Sequence, residues 1–107
     1  MKSTICFDDV LLEPQYSEIC SRSEISLSNS LKNIGELEFP VISAPMDTIT
    51  EEEMARGMFS FGGVGIIHRY NSIAEQAKMV KNACFNEQHN VVGAAIGVNN
   101  DFIDRAN

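Results

Sequence analysis

Three short polar clusters, each directly behind an apolar run, hold the side chains best suited to chemistry. Pro45-Met46-Asp47-Thr48 follows "VISA", His68-Arg69-Tyr70-Asn71 follows "VGII", and Gly97-Val98-Asn99-Asn100 follows "VVGAAI". A methionine can lie against a flat ring. Asp47 and Thr48 can hydrogen-bond a ligand or fix their own loop. Arg69 offers a planar fork to a phosphate or a carboxylate, and His68 can ligate or carry a proton. Each has a plainer reading beside it. Met46 can simply fill a core gap, Asp47 can bond local backbone, His68 can be a satisfied structural histidine, and Arg69 can be a solvated surface charge.

Other chemistry-bearing residues are less organised. The chain has three cysteines, Cys6, Cys20 and Cys84, an odd number with no CxxC spacing, so neither a disulfide framework nor a zinc site is indicated. Each is expected to be a small buried or half-buried thiol. The two histidines, His68 and His89, fall in separate segments. Asp8, Asp9 and Glu13 lack the pattern of an acid–base pair. "GGVG" (62–65) looks like half of a phosphate-cradling loop, but it follows a helix and enters a strand, the reverse of the dinucleotide fingerprint. It reads as a helix stop.

The elements that must position the clusters come from periodicity. Residues 1–36 are rich in Ser and Asn and contain Pro14, which predicts a lead-in arm of extended pieces and turns, with a brief strand around 25–27 and a turn at 33–35. From residue 37 the chain becomes regular. "LEFPVISA" (37–44) predicts a strand buried on both faces. Thr50 with Glu53 predicts a capping box, and Met54, Met58 and Phe61, with Ala55 beside them, a helical face. Gly62-Gly63 ends that helix. "VGIIH" predicts a second strand. Ser72 with Glu75 predicts a second capping box, ahead of a helix whose face carries Ile73, Gln76/Ala77, Val80 and Ala83/Cys84. "FNEQHN" (85–90) closes it. "VVGAAIG" predicts a third buried strand, with Asn99 or Asn100 capping a third helix. Strand–helix–strand crossovers of this kind give parallel neighbours, and ligands of such sheets bind where strands run into helices. All three polar clusters would then share one rim.

Composition bounds the alternatives. The 107 residues carry a formal net charge of −7, which argues against a nucleic-acid partner held by a basic surface. It leaves room for a small phosphorylated ligand met by a few placed donors. No apolar stretch approaches the ~18–20 residues of a membrane span, and the first residues lack a signal-peptide core, so the expectation is a cytoplasmic protein. Three parallel strands with two helices and a short third bury little. They are expected to be the first part of something larger: a closed eight-stranded barrel needs ~250 residues.

The blocks "FDDVLLEP", "PVISAPMDTITEEEMA", "GGVGIIHRYNSIAEQ" and "VVGAAIG", in this order, resemble the beginning of the IMP dehydrogenase/GMP reductase family. The resemblance covers nearly the whole chain and implies an α/β fold, a partial TIM (β/α)8 barrel: an arm over 1–36, then over 37–107 an incomplete barrel segment with the first three parallel strands and two to three helices. It implies an oxidoreductase of purine nucleotide metabolism acting at C2 of the base. In the family a cysteine thiolate attacks C2. In the dehydrogenase, hydride leaves to NAD and water releases XMP, a step of GMP biosynthesis. In the reductase, ammonia leaves GMP and hydride arrives from NADPH to give IMP. The implied partners are IMP or GMP and NAD or NADP, with a monovalent cation and a homotetramer for the full-length enzyme.

Carried over residue by residue, the resemblance places Met46 beside the base or ribose of the nucleotide, and Ala44 where some members have a serine near it. Ser21-Arg22 resembles the pair that reaches the dinucleotide of a neighbouring subunit in the reductases. His68-Arg69 matches a His-Lys or His-Asn loop and departs from it at Arg69. The family's nucleophile lies in a loop after the sixth strand, and Cys6, Cys20 and Cys84 match none of its context, so no catalytic residue is expected here and the 107 residues alone are expected to be inactive. The alternatives are a GMP reductase, and a non-catalytic truncated fragment or nucleotide-binding or assembly module. Only "FNEQHN" stands where many dehydrogenases insert CBS modules. "SAPMDT" followed by "IT" leans toward the dehydrogenase, and "SRSEI" toward the reductase. Motif weight favours the dehydrogenase.

Overall fold

The computed structural model describes residues 4–32, 34–84 and 91–107. "FNEQHN" and Asn33 lie outside the described residues. Two sheets form. An antiparallel hairpin joins β1 (Asn29–Leu31) to β2 (Gly35–Leu37), with Asn29 opposite Leu37. A parallel sheet has the order β3 (Ile42–Ser43), β4 (Val64–Ile67), β5 (Val92–Ala94). Helix α1 (Glu52–Ser60) connects β3 to β4, α2 (Ile73–Ala83) lies between β4 and β5, and α3 (Phe102–Ala106) follows β5. The alternation of strand and helix is the one the periodicity predicts, and the strands are parallel.

The arm differs in detail. The strand expected around 25–27 falls at β1 and β2 instead. The tight turn between them sets the register: the Ile34 amide donates to the Leu31 carbonyl, and Gly35 takes φ +105°. That hairpin also consumes Leu37. The long strand expected over 37–44 therefore shrinks to two residues, since Pro40 has no amide to add to a ladder. Nor is β3 buried on both faces: it is an edge strand, and Ile42 is 44% exposed.

The core is small and sits between α1, α2 and β4. Ala55, Ile67 and Ala83 are fully buried, with Met79, Val80 and Val92 packed against them. Of the helical face expected on α1 only Ala55 is buried; Met54 is exposed and Phe61 is 80% exposed. Gly65 explains how α1 approaches. A Cβ there would lie 2.5 Å from the Cα of Ala55, so helix backbone and central strand touch directly.

Both helix ends next to β4 are chemically specified. Gly62 adopts φ +78°, its amide donates to Phe59, and the Gly63 amide donates to Met58. This is the paired bond pattern of a Schellman stop, so "GGVG" acts as punctuation. At α2 the Ser72 hydroxyl accepts from the Glu75 amide, while the Glu75 carboxylate accepts from the Ser72 amide at 2.9 Å, the expected capping box. The box expected at Thr50 does not form: α1 begins behind Glu51, without a side-chain cap. Neither Asn99 nor Asn100 caps α3. Asp101 holds that position, its carboxylate bound to Arg105 Nε at 2.6 Å, while Asn100 takes a left-handed turn at φ +54°.

Candidate functional site

Each strand of the parallel sheet ends in one of the polar clusters, and hydrogen bonds tie the three loops together. Thr50 is the first tie. It is fully buried; its hydroxyl donates to the Ala44 carbonyl at 2.6 Å and makes a second bond to the Ser43 hydroxyl at 3.0 Å. Its carbonyl accepts from the His68 amide, linking the loop after β3 to the end of β4. The Thr50 side chain thus turns inward to the loop, which is why it does not cap α1.

Gln76 is the second tie. It is buried on α2 and donates to the carbonyls of His68 (3.1 Å) and Ala95 (2.8 Å), at the ends of β4 and β5. Its own carbonyl oxygen accepts from Arg105, whose other nitrogens donate to the Asn71 carbonyl and to Asp101. A buried amide with all these partners satisfied is rigid and specific. Sequence reasoning placed Gln76 on the buried face of its helix but gave it, Thr50 and Arg105 no role in the site. A polar side chain on an otherwise apolar helical stripe was the available signal.

Within this frame His68 stands out. Its ring is buried, with the side chain 3% exposed. The Tyr70 amide donates to Nδ1 at 3.1 Å. A neutral imidazole that accepts at Nδ1 carries its proton on Nε2. That Nε2 is buried and has no hydrogen-bond partner among the described residues. Its nearest charged neighbours are Glu51 Oε1 at 3.6 Å and Asp47 Oδ1 at 3.7 Å, outside hydrogen-bond range. The three atoms lie within 4.8 Å of one another. An orphaned buried donor costs about 1–3 kcal/mol. His68 is therefore not the satisfied structural histidine of the plainer reading.

Met46 is 53% exposed and does not fill a core gap. Its loop is strained at Thr48, a β-branched residue at φ +60° whose hydroxyl bonds the Asp47 carbonyl. Such a backbone costs about 1–3 kcal/mol and tends to sit at functional loops. Ala44 is exposed beside Met46 and accepts its amide. Arg69 is exposed, 5.8 Å from the Tyr70 ring, with its guanidinium 3.0–3.3 Å from where a Gly97 Cβ would stand. The loops after β4 and β5 therefore meet.

Ser21 and Arg22 lie in the arm. The Ser21 hydroxyl starts a single helical turn at Arg22–Glu24, and no hydrogen bond or ion pair connects either residue to the three loops among the described residues. All three cysteines are exposed, against the expectation of buried thiols. Cys6 and Cys20 stand in an arm with no core to enter, and Cys84 ends α2. Cys6 donates to Asp9, and that bond, with one from the Cys6 amide, holds the Asp9 carboxyl below its ordinary range. No helix among the described residues is long and apolar enough to cross a membrane.

The IMP dehydrogenase / GMP reductase domain family matches residues 4–107. The chain is 49% identical over 79 residues to inosine-5′-monophosphate dehydrogenase of Nitrosopumilus maritimus, covering 74% of this chain and 17% of that protein. The enzyme of the same name from Bacillus subtilis is 49% identical over 79 residues, covering 74% and 16%. That from Aquifex aeolicus is 44% identical over 81 residues, covering 76% and 16%. The chain thus spans about a sixth of the length of these curated relatives. With four motif blocks in order, parallel strands ending in polar loops, and a family match over nearly every residue, this chain belongs to the IMP dehydrogenase / GMP reductase family.

Proposed function

We propose that this chain forms the opening segment, arm 1–36 and strands and helices 37–107, of a (β/α)8-barrel oxidoreductase that converts IMP, NAD and water to XMP and NADH. One observation carries this: the loops after β3, β4 and β5 are bonded into a single rim at the ends of parallel strands, where barrels bind ligands. The three relatives named above are dehydrogenases, which favours that direction over reduction of GMP with NADPH.

The exposed Met46 side chain fits a role as a flat apolar platform for the purine or ribose, with Ala44 leaving room beside it. Arg22 is exposed and, among the described residues, unpaired, which suits a reach toward the dinucleotide of a neighbouring subunit in a tetramer. When bound, the dinucleotide supplies the hydride acceptor. What these residues do is hold a nucleotide and orient its base. The attacking thiol is none of Cys6, Cys20 and Cys84, so the 107 residues alone give no turnover. A monovalent cation belongs to the full-length enzyme and the cytoplasm is its compartment.

The test is to express the full reading frame containing this chain and follow absorbance at 340 nm. A rise with IMP plus NAD is expected. A fall with GMP plus NADPH instead would make the protein a reductase. Silence in both from a folded protein would end the proposal and leave a non-catalytic binding or assembly module.

A further inference from the structure

We infer that Arg105 is a positioning residue of the rim, a buried guanidinium that fixes the loops after β4 and β5 against each other so that a nucleotide can bind there; this rests on the nucleotide-binding function proposed above. Its side chain is only 8% exposed. Nε donates to the Asp101 carboxylate at 2.6 Å, Nη1 to the Gln76 side-chain carbonyl at 3.0 Å, and Nη2 to the Asn71 backbone carbonyl at 2.7 Å. Gln76 in turn donates to the backbone carbonyls of His68 and Ala95. The Gln76–Arg105 pair therefore holds the loop after β4 at both ends, His68 and Asn71. It holds the loop after β5 at both ends as well, Ala95 and Asp101. Between these holds Arg69 lies over Gly97, its guanidinium 3.0–3.3 Å from where a Cβ would stand.

Apolar packing does not seat α3. None of its side chains is fully buried among the described residues, and a cavity of about 380 Å³, lined by Ile73, Ala77, Val80 and Ala94 among others, lies between it and α2. Nor does stability alone account for a buried arginine. Taking a guanidinium out of water to meet one carboxylate and two neutral carbonyls is costly, and apolar replacements of such groups are often as stable. What the planar fork supplies is direction. Three nitrogens at fixed angles meet acceptors that lie 4, 29 and 34 residues away in the chain. A lysine has the charge without the fork. Because Arg105 is itself buried, its effect on a ligand passes through the loops it holds.

Steady-state kinetics of the full gene product, with IMP and NAD varied in turn, test this. Arg105→Lys is expected to raise KM for at least one of the two by about threefold or more while kcat stays within about twofold, the signature of lost binding rather than lost chemistry. Arg105→Met should give the same shift or a larger one. Ala83→Gly, in the core at the far end of α2, is the control: it loosens the helix and is expected to leave both KM values within about twofold. If Arg105→Met does not fold, Arg105→Lys decides; if neither folds, Asp101→Asn, at a half-buried position, is read in the same way. A smaller rise in KM overturns the inference, as does a fall in kcat beyond that range or a KM shift that Ala83→Gly reproduces. If the intact protein turns over GMP with NADPH instead, the same variants are read with that pair. If it turns over neither pair, this inference and the proposed function fall together; if it turns over one and the KM values do not move, only the role of Arg105 falls.

Discussion

At the scale of single residues, the loop after β3 shows how one hydroxyl changes the use of a whole segment. Thr50 satisfies the carbonyl of Ala44 and the hydroxyl of Ser43 from a fully buried position, and so sets where Met46 and Asp47 stand. Valine has the same shape and none of the bonding. Thr50→Val is expected to cost about 1–2 kcal/mol in urea unfolding, and to weaken IMP binding in the full gene product more than an exposed change such as Ser60→Ala does. Thr48 is the complementary case. Its left-handed backbone is unfavourable for a β-branched residue and is held in place by the bonds around it.

At the scale of elements, the stops and starts around β4 are the best-specified parts of the chain. The Ser72–Glu75 box is exposed, yet it defines where α2 begins. Removing its hydroxyl in Ser72→Ala should cost about 1 kcal/mol of stability, read as a loss of ellipticity at 222 nm at lower denaturant. The box also has a pH signature. The Ser72 amide, and then its hydroxyl, hold the Glu75 carboxyl below its ordinary value of 4.5. A carboxyl depressed by folding adds stability that is fully present above its unfolded value and is lost as pH falls through the lowered folded one. Melting temperature should therefore drop with acid below about pH 4.5, and Glu75→Gln should remove part of that drop. An unchanged acid profile in Glu75→Gln would show that the box carries no linkage.

At the scale of the whole molecule, the parallel sheet has β4 in its centre and both β3 and β5 at edges. Val41 and Ile42 are exposed along one edge, and Ile5, Phe7, Leu11, Leu12 and Tyr16 are exposed along the arm. Among the described residues only a small set of side chains is fully buried. That much uncovered apolar surface is a liability for an isolated chain. The 107 residues expressed alone are expected to self-associate in size-exclusion chromatography and to bind a hydrophobic dye. A monodisperse monomer without dye binding would contradict this.

The sequence by itself determined the alternation of parallel strands and helices that follows the arm, the glycine stop at Gly62-Gly63, the capping box at Ser72 and the family, because these follow from spacing and from local backbone chemistry. It did not determine what Thr50, Gln76 and His68 do. Local pattern assigned Thr50 to a helix cap, Gln76 to a buried stripe and His68 to the end of a strand. Their actual partners lie far along the chain or in a loop whose path is set by packing: Gln76 reaches Ala95, and His68 faces Asp47 and Glu51. The choice between a cap and a crosslink, or between a satisfied ring and an orphaned donor, was made only when the Gly65–Ala55 contact and the sheet brought those segments together. Hydrogen-bond partners separated by tens of residues leave no periodic trace in a sequence.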